Sequence, residues 1–187
     1  MISFNVVRCR ENGIITVSGV MEVEVKDNTE LGGSFKPIGY FEGYLFPVSG
    51  FNYPAARELF YKLTDLTEKL FKMTFSNKTD GWIYAKTAEF LRNQWPEVSN
   101  PNYIALVAEV KMSERNYEGL GIEGRTVKEF CDVFLEDREN TLLAVAYEGE
   151  LEEKFWLNLG YTKHPRGEFF YHCSDYVLST SRAKVKS

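Results

Sequence analysis

The chain has 187 residues, 44% of them hydrophobic and 26% charged, which is enough to bury one good core. Its net charge of −5 sets aside duplex nucleic acid as a partner, because phosphate binding calls for a basic face; the tail residues Arg182, Lys184 and Lys186 read as a solvated end. No apolar run approaches the ~20 residues that span a bilayer, and the opening MISFNVVRCR lacks a basic segment followed by a long apolar one, so a soluble cytoplasmic protein without membrane association is expected.

Short apolar or alternating stretches at Phe4 to Arg8, Ile14 to Val25 and Ile38 to Val48 predict three antiparallel strands. Turn signals separate them at Glu11-Asn12-Gly13, Asp27-Asn28 and Leu31-Gly32-Gly33. Tyr40, Phe41, Tyr44 and Phe46 on the third are read first as core and second as a protein-contact surface through which a homodimer would form. Pro54 then opens a helical stretch whose apolar residues Ala56, Leu59, Phe60, Leu63, Leu66 and Leu70 share one face. A weaker helix is expected over 83–95, from Tyr84, Ala88, Leu91 and Trp95, and Asn100-Pro101 closes it.

The second half changes to a strand and helix alternation. Tyr103 to Met112 is a strand, and Val127, Phe130, Cys131 and Phe134 mark the buried face of a helix over Arg125 to Glu136. Thr141 to Tyr147 is a continuous apolar strand of the kind found in the middle of a covered sheet. A helix over Glu150 to Leu159 ends at Gly160, which can take the left-handed cap conformation, and Phe169 to Cys173 is the last strand. Cys9, Cys131 and Cys173 stand far apart, with no CxxC pair, and His164 and His172 lack metal-ligand spacing, so neither a disulfide framework nor metal chemistry is expected.

Two segments bear on function. Between the strand ending at Met112 and the next helix lies ERNYEGLGIEGR, with glycines at 119, 121 and 124. Glycines in a strand-to-helix turn let backbone N–H groups converge, and the helix N-terminus adds partial positive charge, so the turn is either an anion site suited to a pyrophosphate or simply a tight connection. It is not a Walker loop, having no Gly-Lys-Ser/Thr, and its glycine spacing is not that of a dinucleotide fingerprint. The second segment, FWLNLGY over Phe155 to Tyr161, reads by itself as a helix end stapled to the core.

In combination and order, YEGLGI, a helix, an apolar strand and FWLNLGY resemble the GNAT family of acyl-coenzyme A N-acetyltransferases, whose pattern is YRGKGIG followed later by FYxxLGF. The resemblance covers Tyr103 to Cys173. It implies a single α/β (α+β) domain over 1–187: a mixed, mostly antiparallel sheet flanked by helices, with splayed central strands. N-terminal strands would occupy 1–50, a helical segment 54–96 and the acetyl-coenzyme A core 103–173. The family's two helices usually follow its first strand, whereas here they follow three, an order similar to that of a divergent subgroup.

The implied activity is transfer of an acetyl group from acetyl-coenzyme A, as cosubstrate, to an amine on a small molecule or protein. Tyr117, Glu118, Gly119, Leu120, Gly121 and Ile122 would hold the pyrophosphate, Val110, Lys111 and Met112 would line the pantetheine, and Phe155 and Trp156 would border the cofactor. Departures from the family pattern are as informative. Glu118 stands where an arginine is usual, Leu120 where a basic residue is frequent, and Glu123 where glycine or alanine is expected. Arg115 and Arg125 flank the loop and are read either as compensating charge or as surface residues. Trp156 aligns with the tyrosine that in many members protonates the leaving thiolate, and an indole cannot give up its proton at useful pH. Tyr147 is the substitute donor, with Tyr161 behind it, and Glu109 is the carboxylate best placed on the central strand to take the amine's proton. Strand alternation does not settle which face Glu109 occupies. With Glu118 and Trp156 altered, a catalytically silent binding or regulatory protein on the same fold is the alternative.

Overall fold

The computed structural model describes residues 1–8, 13–25, 34–75, 89–90, 93–94, 101–113, 115–117, 121–135, 141–146, 150–165 and 168–173; of residues 4–8, 150–152 and 173 only the backbone is described. The elements are β1 (Ile2–Arg8), β2 (Ile15–Val25), β3 (Ser34–Pro47), α1 (Tyr53–Tyr61), α2 (Asp65–Thr74), β4 (Tyr103–Met112), α3 (Ile122–Phe134), β5 (Thr141–Ala146), α4 (Glu150–Asn158), β6 (Thr162–Lys163) and β7 (Phe169–Cys173). The strands form one seven-stranded sheet in the order β1-β2-β3-β4-β5-β7-β6. Every neighbouring pair is antiparallel except β4 with β5, giving the expected mixed, mostly antiparallel sheet with helices on its faces.

Strand alternation assigns the two faces. Tyr44, Phe46, Ile104, Leu106, Leu142, Ala144, Phe169 and Tyr171 point toward α1 and α2, where Phe46 stacks on Phe60 with ring centroids 4.0 Å apart. Phe41, Leu45, Ala105, Val107, Leu143, Val145 and Phe170 point the other way, against Val127, Phe130 and Phe134 of α3 and Trp156 of α4. Each fully buried ring or aliphatic side chain contributes roughly 1.5–3 kcal/mol, so these two layers dominate the stability. The aromatic strand residues read as core are core: Phe41, Tyr44 and Phe46 are buried, while Tyr40 stays partly exposed.

Three elements differ from the sequence expectation for identifiable reasons. The helix opened by Pro54 is broken at Lys62 to Thr64, where Thr64 accepts from the Thr67 N–H and the Thr67 hydroxyl reciprocates, so a capping box starts a second helix. Leu63, counted on the apolar face, is consequently exposed. Strand β3 starts at Ser34 rather than Ile38, and α3 starts at Ile122 rather than Arg125, so Gly124 lies inside the helix rather than before it. The helix expected over 83–95 lies largely outside the described residues, although Glu89, Phe90, Asn93 and Gln94 within it are helical.

Two β-bulges interrupt the regular ladders. Gly39 pairs with Met21 and Pro37 with Glu22, leaving Ile38 as the extra residue of β3. Glu42 pairs with Glu109 and Gly43 with Val107, leaving Ala108 as the extra residue of β4. At Gly39 the strands approach so closely that a Cβ would sit 2.6 Å from the Lys111 carbonyl oxygen and 2.6 Å from Met21 Cε. Gly39→Ala is therefore expected to lower stability by about 1–3 kcal/mol, seen as a reduced urea midpoint at unchanged slope; an unchanged midpoint would refute the close approach.

Candidate functional site

Strand β4 is paired on both sides only in its first half. Its parallel register with β5 runs from Tyr103 opposite Thr141 to Val107 opposite Val145 and stops there, although Ala146 still belongs to β5 and pairs with Phe169 of β7. On the β3 side the ladder continues to Met112 opposite Gly39. From Ala108 to Met112, then, the β5-facing edge of β4 has no strand partner among the described residues. Unpaired edge N–H and C=O groups seek water or a ligand.

The N-terminus of α3 packs over the end of β4. Val110, Tyr117 and Ile122 pack against the small cluster of Met21, Ile38 and Met112, which folds the end of the glycine segment back over the end of β4. Gly121 caps the helix in the left-handed conformation (φ 74°), and no side chain among the described residues caps the first turn, which leaves its N–H groups and the helix dipole as an electropositive end. Gly124 has a different use. A Cβ there would lie 3.1 Å from Phe155 Cζ and 3.2 Å from Leu159 Cδ1, so its hydrogen lets α3 pack tightly on α4.

Glu123, in that first turn, has one carboxylate oxygen buried without a hydrogen-bond partner among the described residues. Arg115 and Arg125 are both exposed. Of the residues expected at a pyrophosphate, Tyr117 and Ile122 are half-buried beside β4, Gly121 is the cap, and Glu118, Gly119 and Leu120 lie outside the described residues. Of those expected along a pantetheine, Val110 is half-buried and Met112 buried on the α3 side, whereas Lys111 is exposed.

Trp156 is 4% exposed, packed edge-on to Phe155 at 4.9 Å and to Tyr161 at 5.1 Å between ring centroids. The α4 end is a Schellman turn, in which the Tyr161 N–H reaches the Trp156 carbonyl and the Gly160 N–H the Leu157 carbonyl, with Gly160 at φ 87°. Burial pushes the Tyr161 phenol well above its ordinary range. Tyr147 lies outside the described residues.

On the opposite face of the sheet, next to the β4 bulge, a polar group appears that sequence reasoning caught only in part. Glu109 is exposed and accepts a hydrogen bond from the Tyr40 hydroxyl (2.8 Å). Its direct cross-strand partner is Glu42, which is half-buried and accepts from the hydroxyl of the buried Tyr44. Burial, followed by the hydrogen bond to Glu42, raises the Tyr44 pKa far beyond the usual phenol value, so this hydroxyl remains a donor at any working pH. The signal for Glu42 was present in the sequence as a carboxylate inside an aromatic strand.

Among the described residues no group of three or more His, Cys, Asp or Glu side chains is placed to hold a metal ion, and no helix is long and apolar enough to cross a membrane. No family model matches the sequence, and no curated protein matches it. Among solved structures the chain is similar to arylalkylamine N-acetyltransferase 2 from Aedes aegypti, with a TM-score of 0.42 and 10% identity over 85% of this chain and 73% of that one.

Among the described side chains, Cys131 on the buried face of α3 is the cysteine to weigh. Burial pushes its thiol pKa up to about 12, with the Asp132 carboxylate adding to the shift. A thiol held protonated in this way is a poor acyl-carrying nucleophile. Site-resolved mass spectrometry after iodoacetamide treatment at pH 8 should find Cys131 unlabelled in the native protein and labelled in urea. Rapid native labelling would overturn the assignment.

Proposed function

We propose that this chain is an N-acetyltransferase of the GNAT type, which moves an acetyl group from acetyl-coenzyme A to an amine. The observation that carries the reading is the juxtaposition of the unpartnered β4 edge, Ala108 to Met112, with the uncapped N-terminus of α3. The amides of a pantetheine arm would hydrogen-bond the strand edge as a surrogate for β5, and the first-turn N–H groups of α3 would receive the pyrophosphate.

The acceptor reaches the reaction as an ammonium ion and must lose a proton before its nitrogen can attack the thioester carbonyl carbon. Glu109 takes that proton. Strand N–H groups near the Ala108 bulge polarise the carbonyl, the C–S bond breaks, and the departing thiolate takes the second proton shed by the nitrogen, directly or through Tyr147. A thiol pKa near 8.5 makes the thiolate a tolerable leaving group, so a buried Trp156 in place of a tyrosine slows this step without forbidding it. Products are the amide, free coenzyme A and a protonated Glu109, which returns its proton to solvent.

A second reading, a binding module on the same fold, is favoured by one observation: the unpartnered Glu123 carboxylate oxygen at the anion-binding end of α3. Isothermal calorimetry with acetyl-coenzyme A and a thiol-release assay across an amine panel separate the two. Binding with turnover supports the enzyme, binding without turnover supports the module, and no binding at millimolar ligand refutes both.

Two substitutions sharpen the enzyme reading. Glu109→Gln should lower kcat by about 10²-fold or more with a small change in the KM for acetyl-coenzyme A. Glu123→Gln removes a like charge whose repulsion at ~4 Å amounts to about 1 kcal/mol in water, so it should tighten coenzyme A binding by roughly fivefold. Unchanged or weaker binding in Glu123→Gln would place the pyrophosphate elsewhere.

A further inference from the structure

The two carboxylates at the β4 bulge sit in different environments, and two carboxylates in different environments commonly hold different roles. Glu42 and Glu109 are direct cross-strand partners between β3 and β4, an arrangement that like charges disfavour. Their recorded partners are the neutral hydroxyls of Tyr44 and Tyr40. Lys111, on the same stretch of β4, is opposite Tyr40 rather than Glu42, and Ser18, opposite Glu42 on β2, has no charge. Glu42 also borders a cavity. A shallow open groove of about 370 Å³ on the same sheet face is lined by Ser3, Thr16, Ser18, Val20, Tyr40 and Glu42.

Glu42 is the less exposed of the two carboxylates, and the Tyr44 hydroxyl pins its orientation from within the core. Glu109, at the end of the pair nearer solvent, is one residue beyond Ala108, where β4 leaves β5. From this geometry, and resting on the acetyl-transfer reading above, we propose that Glu42 is the specificity-determining residue for the acceptor: it binds the ammonium form of a primary alkyl amine from the groove, with Tyr44 as its positioning residue. The ammonium offsets the opposed negative charges while bound. The proton then passes to Glu109, and Glu42 stays a carboxylate throughout.

The proposal separates KM from kcat. With butylamine, cationic at neutral pH, Glu42→Gln should raise the acceptor KM by about tenfold or more and leave kcat within about threefold. With aniline, neutral at the same pH, the acceptor KM should be unchanged. Tyr44→Phe, which keeps the ring in the core but frees the carboxylate, should shift the butylamine KM in the same direction by a smaller factor. A common fall in kcat for both acceptors, or equal KM values for wild type and Glu42→Gln with butylamine, would overturn the assignment while leaving the acetyltransferase reading intact. If the wild type transfers acetyl to neither acceptor but does so to other amines, the alkylammonium assignment fails alone; if it transfers to no amine, both fail. Thermal denaturation of each variant identifies unfolding, and should Glu42→Gln unfold, the Tyr44→Phe comparison between butylamine and aniline decides.

Discussion

One extra residue in β4 organises the candidate site. Up to Val107 the strand alternates regularly, with Ala105 and Val107 facing α3 and α4 and Ile104 and Leu106 facing α1 and α2. Continued alternation would bury Glu109 beneath α3 and aim Val110 at the other face. The bulge at Ala108 reverses the assignment, so Val110 joins the apolar cluster on the α3 side while Glu109 emerges beside Tyr40 and Glu42. The same residue marks the end of the ladder to β5, which leaves the edge open. A ladder interruption costs backbone hydrogen bonding, and this one coincides with an edge that has no strand partner among the described residues and puts a carboxylate on the face away from α3.

The position of α3 follows from a second local constraint, on β3. Gly43 lies opposite Val107, and a Cβ there would be 3.0 Å from the Phe41 ring and 3.1 Å from the Leu106 carbonyl oxygen. Its absence lets Phe41 lie flat enough to meet Phe130 of α3 at 5.1 Å, and Phe130 in turn meets Phe134 at 5.4 Å. The aromatic chain anchors the body of the helix to the sheet. Its first turn rests on the smaller cluster of Met21, Ile38 and Met112, so the N-terminal end of α3 sits over fewer buried groups than the rest. Lower local packing lets a helix end adjust without loss of the core.

The sequence made much of this legible where local chemistry decides structure. Tyr103 to Met112 and Phe169 to Cys173 were readable to the residue because a run of apolar and β-branched side chains has one solution, and Gly160 announced its Schellman turn. What stayed hidden depends on partners distant in sequence. No periodicity in YIALVAEVKM reveals that Ala108 is extra, since a bulge is defined by the strand opposite, and for that reason the face of Glu109 could not be read. The pairing of Glu42 with Glu109 joins strands far apart in sequence and has no local signature. Thr64 was missed for a simpler reason: a threonine at the third helical position replaces the glutamate that normally advertises a capping box.

The two segments that drew attention in the sequence carry unequal weight once folded. FWLNLGY is accounted for by packing alone: Trp156 fills the layer between α4 and the sheet, Phe155 abuts Gly124, and Gly160 closes the helix. The indole is buried against Phe155 and Tyr161, so the contacts this segment makes among the described residues are those of packing. The weight therefore falls on the other segment and on β4. There the groups are a strand edge without a strand partner among the described residues and a helix end, and backbone N–H and C=O groups of this kind keep their hydrogen-bonding capacity whatever the side chains, so the changes at Glu118 and Trp156 leave these backbone features unaltered.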